Sequence, residues 1–462
     1  MFFLSRLAAE VDALQAADFP VNHAGPKKWL AVIEGFITTA QGYLVKSFLS
    51  ELPLDSASKL LKDAELAGKQ AYDMLQRMEG TDSAYIPHQI IAPFEDWAKA
   101  LGIENTLFFR AEHAPNYEVR WFSKEANGHR LNGQSKELVK ALQTASWPVM
   151  RITVPSHAMG MLPHFAVVGH ELGHCIAEPI KNAIDEVGID YSEVCNKIST
   201  RLETHGLTLG EAEFSTFSII LFDWIEELVA DAIGLYIAGP AFYFALFGFL
   251  EMAPNGIGLG TVHPPSSLRR EILAARLKVG PKSFFHCLGE KLGFKIEDSI
   301  NSPNLTICPP VDALFALLTN RDNGWDVPTA SICAELVDFV PSLAEQIHTA
   351  SEKHLRSLAP QLIYGVERFE ADLNNHLSEI DLLIPPIERQ VNGIAEPTGL
   401  ATILNIGWAA LLGGLKDFPP PDKNELDVQA QKMERLHSLL LKALELSEAR
   451  TVWMANRESQ PQ

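Results

Sequence analysis

Cysteine is scarce in this chain and shows no pairing pattern. The 462 residues include only five cysteines, at positions 175, 195, 287, 308 and 333. Their number is odd, and no two of them have Cys-x-x-Cys spacing. This excludes the disulfide framework typical of small secreted proteins, and reduced thiols predict a cytoplasmic protein. The N-terminus likewise lacks the long apolar core and cleavage site of a secretory signal.

Positive charge is also in short supply. The chain has 38 Lys and Arg against 58 Asp and Glu, so its formal net charge is −20 at pH 7. A protein of this charge is repelled by phosphate backbones and by anionic lipid surfaces. We therefore expect no nucleic-acid partner. Acidity alone does not identify a substrate.

Long apolar runs are nearly absent, with residues 232–250 as the exception. These positions carry no charge, and their number is close to that of a transmembrane helix. However, Gly239-Pro240 interrupts the run, no basic cluster flanks it, and acidic residues lie just before its start. Core helices of large proteins are also apolar all round. We therefore predict a buried core segment and no membrane insertion.

The length and element pattern predict an α+β protein that is mainly helical. A chain of this length exceeds one ordinary core, so we expect two or three domains. We divide the chain into an N-terminal helical region (1–103), a central segment that carries the short strands (104–280) and a C-terminal helical domain (281–462). Short strands are predicted at 106–110, 117–122 and 148–155. The last alternates apolar and polar residues, which indicates one buried face, and its terminal prolines favour an edge position.

The most informative stretch is Gly-His-Glu-Leu-Gly-His, residues 169–174. Apolar residues recur around it at helical spacing and predict a helix over about 163–178, ending before Pro179. On that helix His170 and His174 are one turn apart and project from the same face. Both imidazoles can then reach one zinc ion at about 2.0–2.1 Å, and Glu171 can act as general base. Glycines at 169 and 173 leave the helix surface bare beside the histidines, which suits close packing or a ligand.

A second helical stretch, beginning near Phe214, carries three carboxylates on one face. Asp223, Glu227 and Asp231 follow one another at i, i+4 spacing. Like charges at this spacing destabilise a helix, so burial there requires a cation. Asp223 and Glu226 compete with Glu227 as the third ligand, although Glu226 lies on a different helix face and is expected to be solvated or bonded to backbone. Cys175 and Glu178 are expected to be structural.

With both stretches in place, the chain resembles the gluzincin zinc metallopeptidases. In that clan His-Glu-x-x-His supplies two ligands and the base, and a later Glu-x-x-x-Asp supplies the third ligand and a supporting aspartate. The resemblance implies a zincin-like core in which Glu227 completes the zinc site, one ion per chain, and Asp231 orients a ligand histidine. A narrower resemblance is to the branch of the CAAX prenyl proteases, whose His-Pro-x-x-x-x-Arg matches residues 263–269. It implies that His263 and Arg269 face the cleft, and that Arg269, like Asp231, supports the metal ligands from behind. The metallopeptidase domain that the resemblance implies is residues 104–280.

The function that the resemblance implies is a zinc metalloendopeptidase-like hydrolase. Water activated by the metal attacks the peptide bond, and Glu171 takes its proton. His263, or secondarily Tyr236, is expected to stabilise the oxyanion, and strand 148–155 to pair with an extended peptide or protein substrate. The alternative is a regulatory or binding protein that keeps the zincin fold while its C-terminal half binds a partner. A purely structural zinc site is disfavoured because it has no use for Glu171. The pattern indicates no oligomeric state.

Overall fold

The fold comes from a computed structural model that describes residues 2–15, 24–49, 53–76, 88–103, 106–112, 117–121, 149–250, 260–280, 282–296, 310–320, 325–391, 394–413, 415 and 425–458. The predicted class is confirmed at the level of secondary structure, because the protein is mainly helical with small sheets. Two compact units form, Met1–Lys99 with Ile103–Met159, and Ala100–Gly102 with Gly160–Gln462. Their boundary, between Met159 and Gly160, falls inside the central segment 104–280. The division at residues 103 and 280 stays a prediction.

The first unit combines four helices with a small sheet. Its elements are α1 (Phe2–Gln15), α2 (Ala24–Leu49), α3 (Leu54–Gln76), α4 (His88–Ala100), β1 (Thr106–Glu112), β2 (Glu118–Trp121) and β3 (Val149–Pro155). Helix α2 packs against α1, α3 and the sheet. Its buried residues Leu30, Ile33, Ile37 and Ala40 recur at helical spacing, so one stripe of the helix forms the core contact.

The predicted edge position of β3 is wrong. The strand order is β1-β3-β2, in which β3 pairs in parallel with β1 and antiparallel with β2. A terminal proline such as Pro155 removes no hydrogen-bond donor from the middle of the strand, so both edges of β3 can pair. Arg151 and Thr153 are also buried, and Arg151 Nη2 lies 3.4 Å from Glu118 Oε2. Because both neighbours of β3 are in place, the predicted addition of a substrate strand to it is also wrong.

The second unit is built mainly from helices. In chain order they are α5 (Val168–Val187), α6 (Ser192–Thr204), α7 (Glu211–Ala238), α8 (Pro240–Leu250), α9 (Ser266–Leu277), α10 (Phe284–Leu292), α11 (Val311–Leu318), α12 (Val327–Phe339), α13 (Ala344–Leu358), α14 (Val366–Asp381), α15 (Leu400–Leu412) and α16 (Glu425–Glu458). A hairpin of β4 (Glu388–Val391) and β5 (Ile394–Pro397) precedes α15. A 3₁₀ turn, Leu162–Val167, leads into α5.

Helix α5 is longer than predicted. It begins at Val168 and runs through Pro179 to Val187, where Gly188 ends it with φ of 82°. The local preference of a residue before proline is overridden by packing, since Ala177, Ile180 and Ile184 are buried on both sides of the proline. The additional turns bring a further stretch of α5 alongside α7.

The apolar run 232–250 lies inside the second unit. It forms the end of α7 and all of α8, which meet at Gly239 with φ of 63°. Asn405 of α15 holds this corner, because its Oδ1 accepts from the Ala241 N–H and its Nδ2 donates to the Ala238 carbonyl. In the described part of the chain, one stretch, Val327–Leu358, is apolar and long enough to cross a membrane, and 56% of its most apolar window is buried within the protein. A core helix meets the same criterion.

Candidate metal centre

Small residues one turn apart on each helix allow α5 and α7 to approach closely. A Cβ added at Gly173 would lie 2.8 Å from Ala230 Cα, and one at Gly169 would lie 3.3 Å from Gly234 Cα. No larger side chain fits between the backbones at Gly173 without a shift. The predicted close packing at these glycines is confirmed, and it brings the histidines of α5 against the carboxylates of α7.

Three buried donor atoms meet between the two helices. His170 Nε2 and His174 Nε2 are 3.1 Å apart, and they lie 3.5 Å and 3.4 Å from the Oε2 and Oε1 atoms of Glu227, respectively. Donors that share a tetrahedral ion of the size of zinc lie about 3.3 Å apart, as follows from bond lengths of about 2.0–2.1 Å. This group of His170, His174 and Glu227 could therefore hold a metal ion.

The chemistry of the donor set supports the same conclusion. Glu227 is only 5% exposed, and within the described residues its Oε2 atom has no hydrogen-bond partner. Burial opposes ionisation of this carboxyl, but Arg269, His170 and His174 outweigh burial and lower the pKa of Glu227. An ionised carboxylate oxygen directed toward two imidazole nitrogens is a donor set that zinc and similar ions accept.

His170 is held from behind by a buried ion pair. Its Nδ1 atom lies 2.9 Å from Asp231 Oδ1, one turn beyond Glu227. Arg269 of α9 donates from Nε to Asp231 Oδ2 at 2.8 Å and from Nη2 to Oδ1 at 2.6 Å, and its Nη1 lies 3.4 Å from Glu227. Burial alone would raise the pKa of Asp231, but Arg269 and His170 lower it well below its usual value. Phe242 of α8 stacks on the His170 ring at 6.3 Å.

Arg269 is buried rather than turned toward an open cleft. Its side chain is 5% exposed, and it contacts Asp231 and Glu227 from within the protein. Its predicted role as a support of the metal ligands stays a prediction. Burial lowers the pKa of a guanidinium, yet Asp231 and Glu227 more than compensate and raise the pKa of Arg269. The arginine thus offsets part of the negative charge of two buried carboxylates.

His174 has a different partner, Glu226. Its Nδ1 atom lies 3.4 Å from Glu226 Oε1, while Lys181 Nζ donates to Glu226 Oε2 at 2.6 Å. Glu226 is 36% exposed and so is partly solvated, as expected, but its partners are the side chains of His174 and Lys181 rather than backbone. The hydrogen bond with His174 is the main reason that the pKa of Glu226 falls to about 2. Burial lowers the pKa of His174, but Glu226, Glu227 and Glu171 outweigh it and raise the pKa to about 9.

The third histidine, His263, stands at the rim of the group. Its Nε2 atom lies 3.5 Å from Glu227 Oε1, and its side chain is 55% exposed. A turn with a bond from the Gly260 N–H to the His263 carbonyl precedes α9, and Trp224 of α7 donates to the Gly260 carbonyl. Burial is the main cause that lowers the pKa of His263, so its imidazole is neutral near pH 7. The glycines before Gly260 lie outside the described residues.

Glu171 belongs to the same cluster, whereas Tyr236 does not. Glu171 is 6% exposed, and its charge contributes to the raised pKa values of both His174 and Arg269. The Tyr236 hydroxyl lies 3.3 Å from the carbonyl of His348, to which it donates, and 3.3 Å from a carboxylate oxygen of α13. Tyr236 is thus committed to α13, which argues against it as the oxyanion donor.

The last two helices hold the turn that leads into α5. The Leu162 N–H donates to His437 Nδ1 at 3.1 Å, and Trp408 Nε1 donates to the Pro163 carbonyl at 3.0 Å. Gly407 lies against the ring of Pro163, where a Cβ would come within 2.7 Å of it. The start of the histidine helix is therefore fixed by α15 and α16.

The arrangement defines a candidate metal centre of two histidines and one glutamate between two closely packed helices. No family model matches the chain, and neither a curated protein nor a solved structure matches it. The gluzincin resemblance therefore rests on the sequence motifs alone. The chemical roles predicted for the site residues stay predictions.

Proposed function

We propose that the protein is a zinc-dependent metallopeptidase of the gluzincin type, with a zincin-like core, that acts on peptide or protein substrates in the cytoplasm. The observation that carries the proposal is the buried donor group of His170, His174 and Glu227, whose nitrogen and oxygen atoms lie 3.1 to 3.5 Å apart. Glu171, the residue after the first histidine, belongs to the same cluster of charges.

Zinc is the ion that we propose for this donor set. Two imidazoles and one carboxylate are the protein ligands of many catalytic zinc sites, which keep a further position open. Bound zinc supplies a Lewis acid that polarises a carbonyl and lowers the pKa of water. The chain's own residues hold the ion, direct the substrate and carry the proton.

Glu171 is the proposed proton carrier. Its carboxylate accepts the proton of the attacking water and delivers it to the leaving amine nitrogen. His263 is the proposed donor to the substrate carbonyl oxygen. Because its pKa is lowered, the imidazole is neutral near pH 7 and donates through one N–H. Its half-exposed position beside Glu227 gives it access to both the donor group and solvent.

Metal content tests the first half of the proposal. Purified protein is expected to hold about one zinc per chain in plasma emission analysis. His170→Ala and Glu227→Ala should lose most of it, because each removes a donor of the buried group. Asp223→Ala is the matched control on the same face of α7 and should retain zinc. Equal zinc in the Asp223 and Glu227 variants would refute the ligand assignment.

A peptide library tests the second half. Incubation of the full chain with a mixed library should give cleavage products by mass spectrometry, and a chelator should abolish them. Glu171→Gln should keep both fold and zinc but lose turnover, since it removes the base and leaves every donor in place. Zinc binding without any cleavage would support the alternative of a zincin-fold regulatory or binding protein.

A further inference from the structure

The two histidines of the centre are each backed by a carboxylate and a cation, but only one of these supports follows from the Glu-x-x-x-Asp pattern. His170 is backed by Asp231 and Arg269. His174 is backed by Glu226, whose Oε1 lies 3.4 Å from His174 Nδ1, and Glu226 is in turn held by Lys181, whose Nζ lies 2.6 Å from its Oε2. The second support comes from the residue beside the glutamate donor and from the turns of α5 beyond Pro179.

Helix geometry explains why Lys181 can take part. Lys181 follows His174 by seven residues, which is about two turns, so both side chains lie on the same face of α5. Helix α7 runs in the opposite direction along this face, because Gly169 meets Gly234 while Lys181 meets Glu226. A helix that ended at Glu178 would leave Glu226 without its cation.

We propose that Glu226, held by Lys181, is the positioning residue of His174 and sets the affinity of the centre for its metal. The inference rests on the metal centre of the proposed function. A ligand histidine commonly donates its second ring N–H to a carboxylate, which fixes the tautomer and the ring orientation. With Nδ1 directed to Glu226, the Nε2 atom of His174 is the one that faces His170 and Glu227.

His174 needs this support more than His170 does. Its side chain is 18% exposed, against 7% for His170. Phe242 stacks on His170, whereas no aromatic ring of α8 stacks on His174 within the described residues. Glu226 is a support rather than a donor to the ion, because its two oxygens are directed to His174 Nδ1 and to Lys181. Glu227 is the carboxylate that faces the Nε2 atoms.

Chelator competition measures the affinity of the full chain for zinc. Glu226→Ala should weaken zinc binding by about 10–100-fold, the range for removal of such an outer partner, and still reach one zinc per chain at saturation. Glu226→Gln retains an acceptor without the charge and should restore part of the affinity. Lys181→Met should lower the affinity less than Glu226→Ala. Glu178→Ala is the matched control, because Glu178 also lies within 3.3 Å of Lys181 but is 74% exposed.

A second readout separates positioning from a general effect on the fold. Cobalt(II) in place of zinc reports the ligand geometry through its visible absorption, which should change in Glu226→Ala and not in Glu178→Ala. Thermal unfolding of both variants without metal shows whether the fold is equally stable.

The outcomes are separable from those of the proposed function. A wild-type protein that takes up no metal refutes the metal centre itself. If the wild-type protein binds zinc, the Glu226→Ala variant decides the positioning role. A zinc affinity within twofold of wild type and an unchanged cobalt spectrum in that variant would refute the positioning role alone.

Discussion

Gly173→Ala is the most direct test of how closely α5 and α7 approach. The new Cβ would lie 2.8 Å from Ala230 Cα, whereas carbon atoms in ordinary contact are about 3.5 Å or more apart. The two helices must therefore move apart locally. Overpacking of this kind costs about 1–3 kcal/mol, and the better helix propensity of alanine offsets up to about 1 kcal/mol of it. We expect a net destabilisation of about 1–2 kcal/mol.

The same substitution should weaken metal binding. His174 follows Gly173, and Glu227 lies one turn before Ala230 on α7, so separation of the helices pulls the donors apart. Zinc binding must then bring the donor atoms back together, and we expect this to cost the same 1–2 kcal/mol of binding free energy. That cost corresponds to a loss of zinc affinity of about 5–30-fold. Thermal unfolding of the metal-free protein and chelator competition measure the two effects independently.

Two other glycines serve as controls for the Gly173 variant. At Gly169 the added Cβ would lie 3.3 Å from Gly234 Cα, so Gly169→Ala should be close to neutral after the gain in helix propensity. Gly42 of α2 has no atom within 4 Å of an added Cβ, and Gly42→Ala should stabilise by about 0.5–1 kcal/mol. A Gly173→Ala protein as stable as Gly169→Ala, with the zinc affinity of wild type, would refute the close approach.

Three further predictions concern titratable side chains that are buried or half-buried. Arg269→Met should cost about 3–5 kcal/mol in urea unfolding because it strands the Asp231 and Glu227 carboxylates, and a loss below 1 kcal/mol would contradict the buried pair. His263→Ala should leave zinc content unchanged and lower kcat by about 10²–10³ with little change in KM, whereas activity within threefold of wild type would return His263 to a surface role. His348 has a pKa lowered to about 4, mainly by burial, so its neutral form stabilises the fold above pH 6.5. That stability, roughly 3 kcal/mol, should be lost as the pH falls from 6.5 to 4, and His348→Phe should remove this pH dependence.

The two histidine donors could be predicted from the sequence because their geometry is local. His170 and His174 need only a helix to share a face, and the same holds for Glu227 and Asp231 on α7. Their apolar surroundings made a buried polar group without a partner improbable. The choice of Glu227 over Asp223 and Glu226 as the third donor came from the gluzincin resemblance and not from local geometry. The structure places His170, His174, Glu227 and Asp231 together.

The support of His174 could not be predicted, because it depends on how α5 and α7 pack. Periodicity places Glu226 on another face than Glu227, but only the position of α5 decides which nitrogen each carboxylate meets. Lys181 lies beyond Pro179, where the local preference of the residue before proline predicts a helix end. Packing of Ile180 and Ile184 overrode that preference, and local patterns do not report such tertiary contacts.

The predicted edge position of β3 was wrong for a related reason. The prolines near the ends of β3 favour an edge, yet an edge position is a property of neighbours that are distant in sequence. Register with β1 begins at Thr106 and Val149, and the intervening segment gives no local sign of that parallel pairing. The hairpin of β4 and β5 was not predicted either, since each of its strands has only four residues.

The anchoring of the turn before α5 has a consequence for the timing of biosynthesis. Leu162 bonds to a histidine that lies 275 residues later, and Pro163 to a tryptophan 245 residues later. At about 5–20 residues per second, a ribosome takes roughly 14–55 s to make the interval between Leu162 and His437. During that time the histidine helix exists without the contacts that hold its beginning. The site can therefore reach its final geometry only after α15 and α16 have been synthesised. Nascent chains that stop earlier should contain both motifs but lack the contacts that fix the start of the histidine helix.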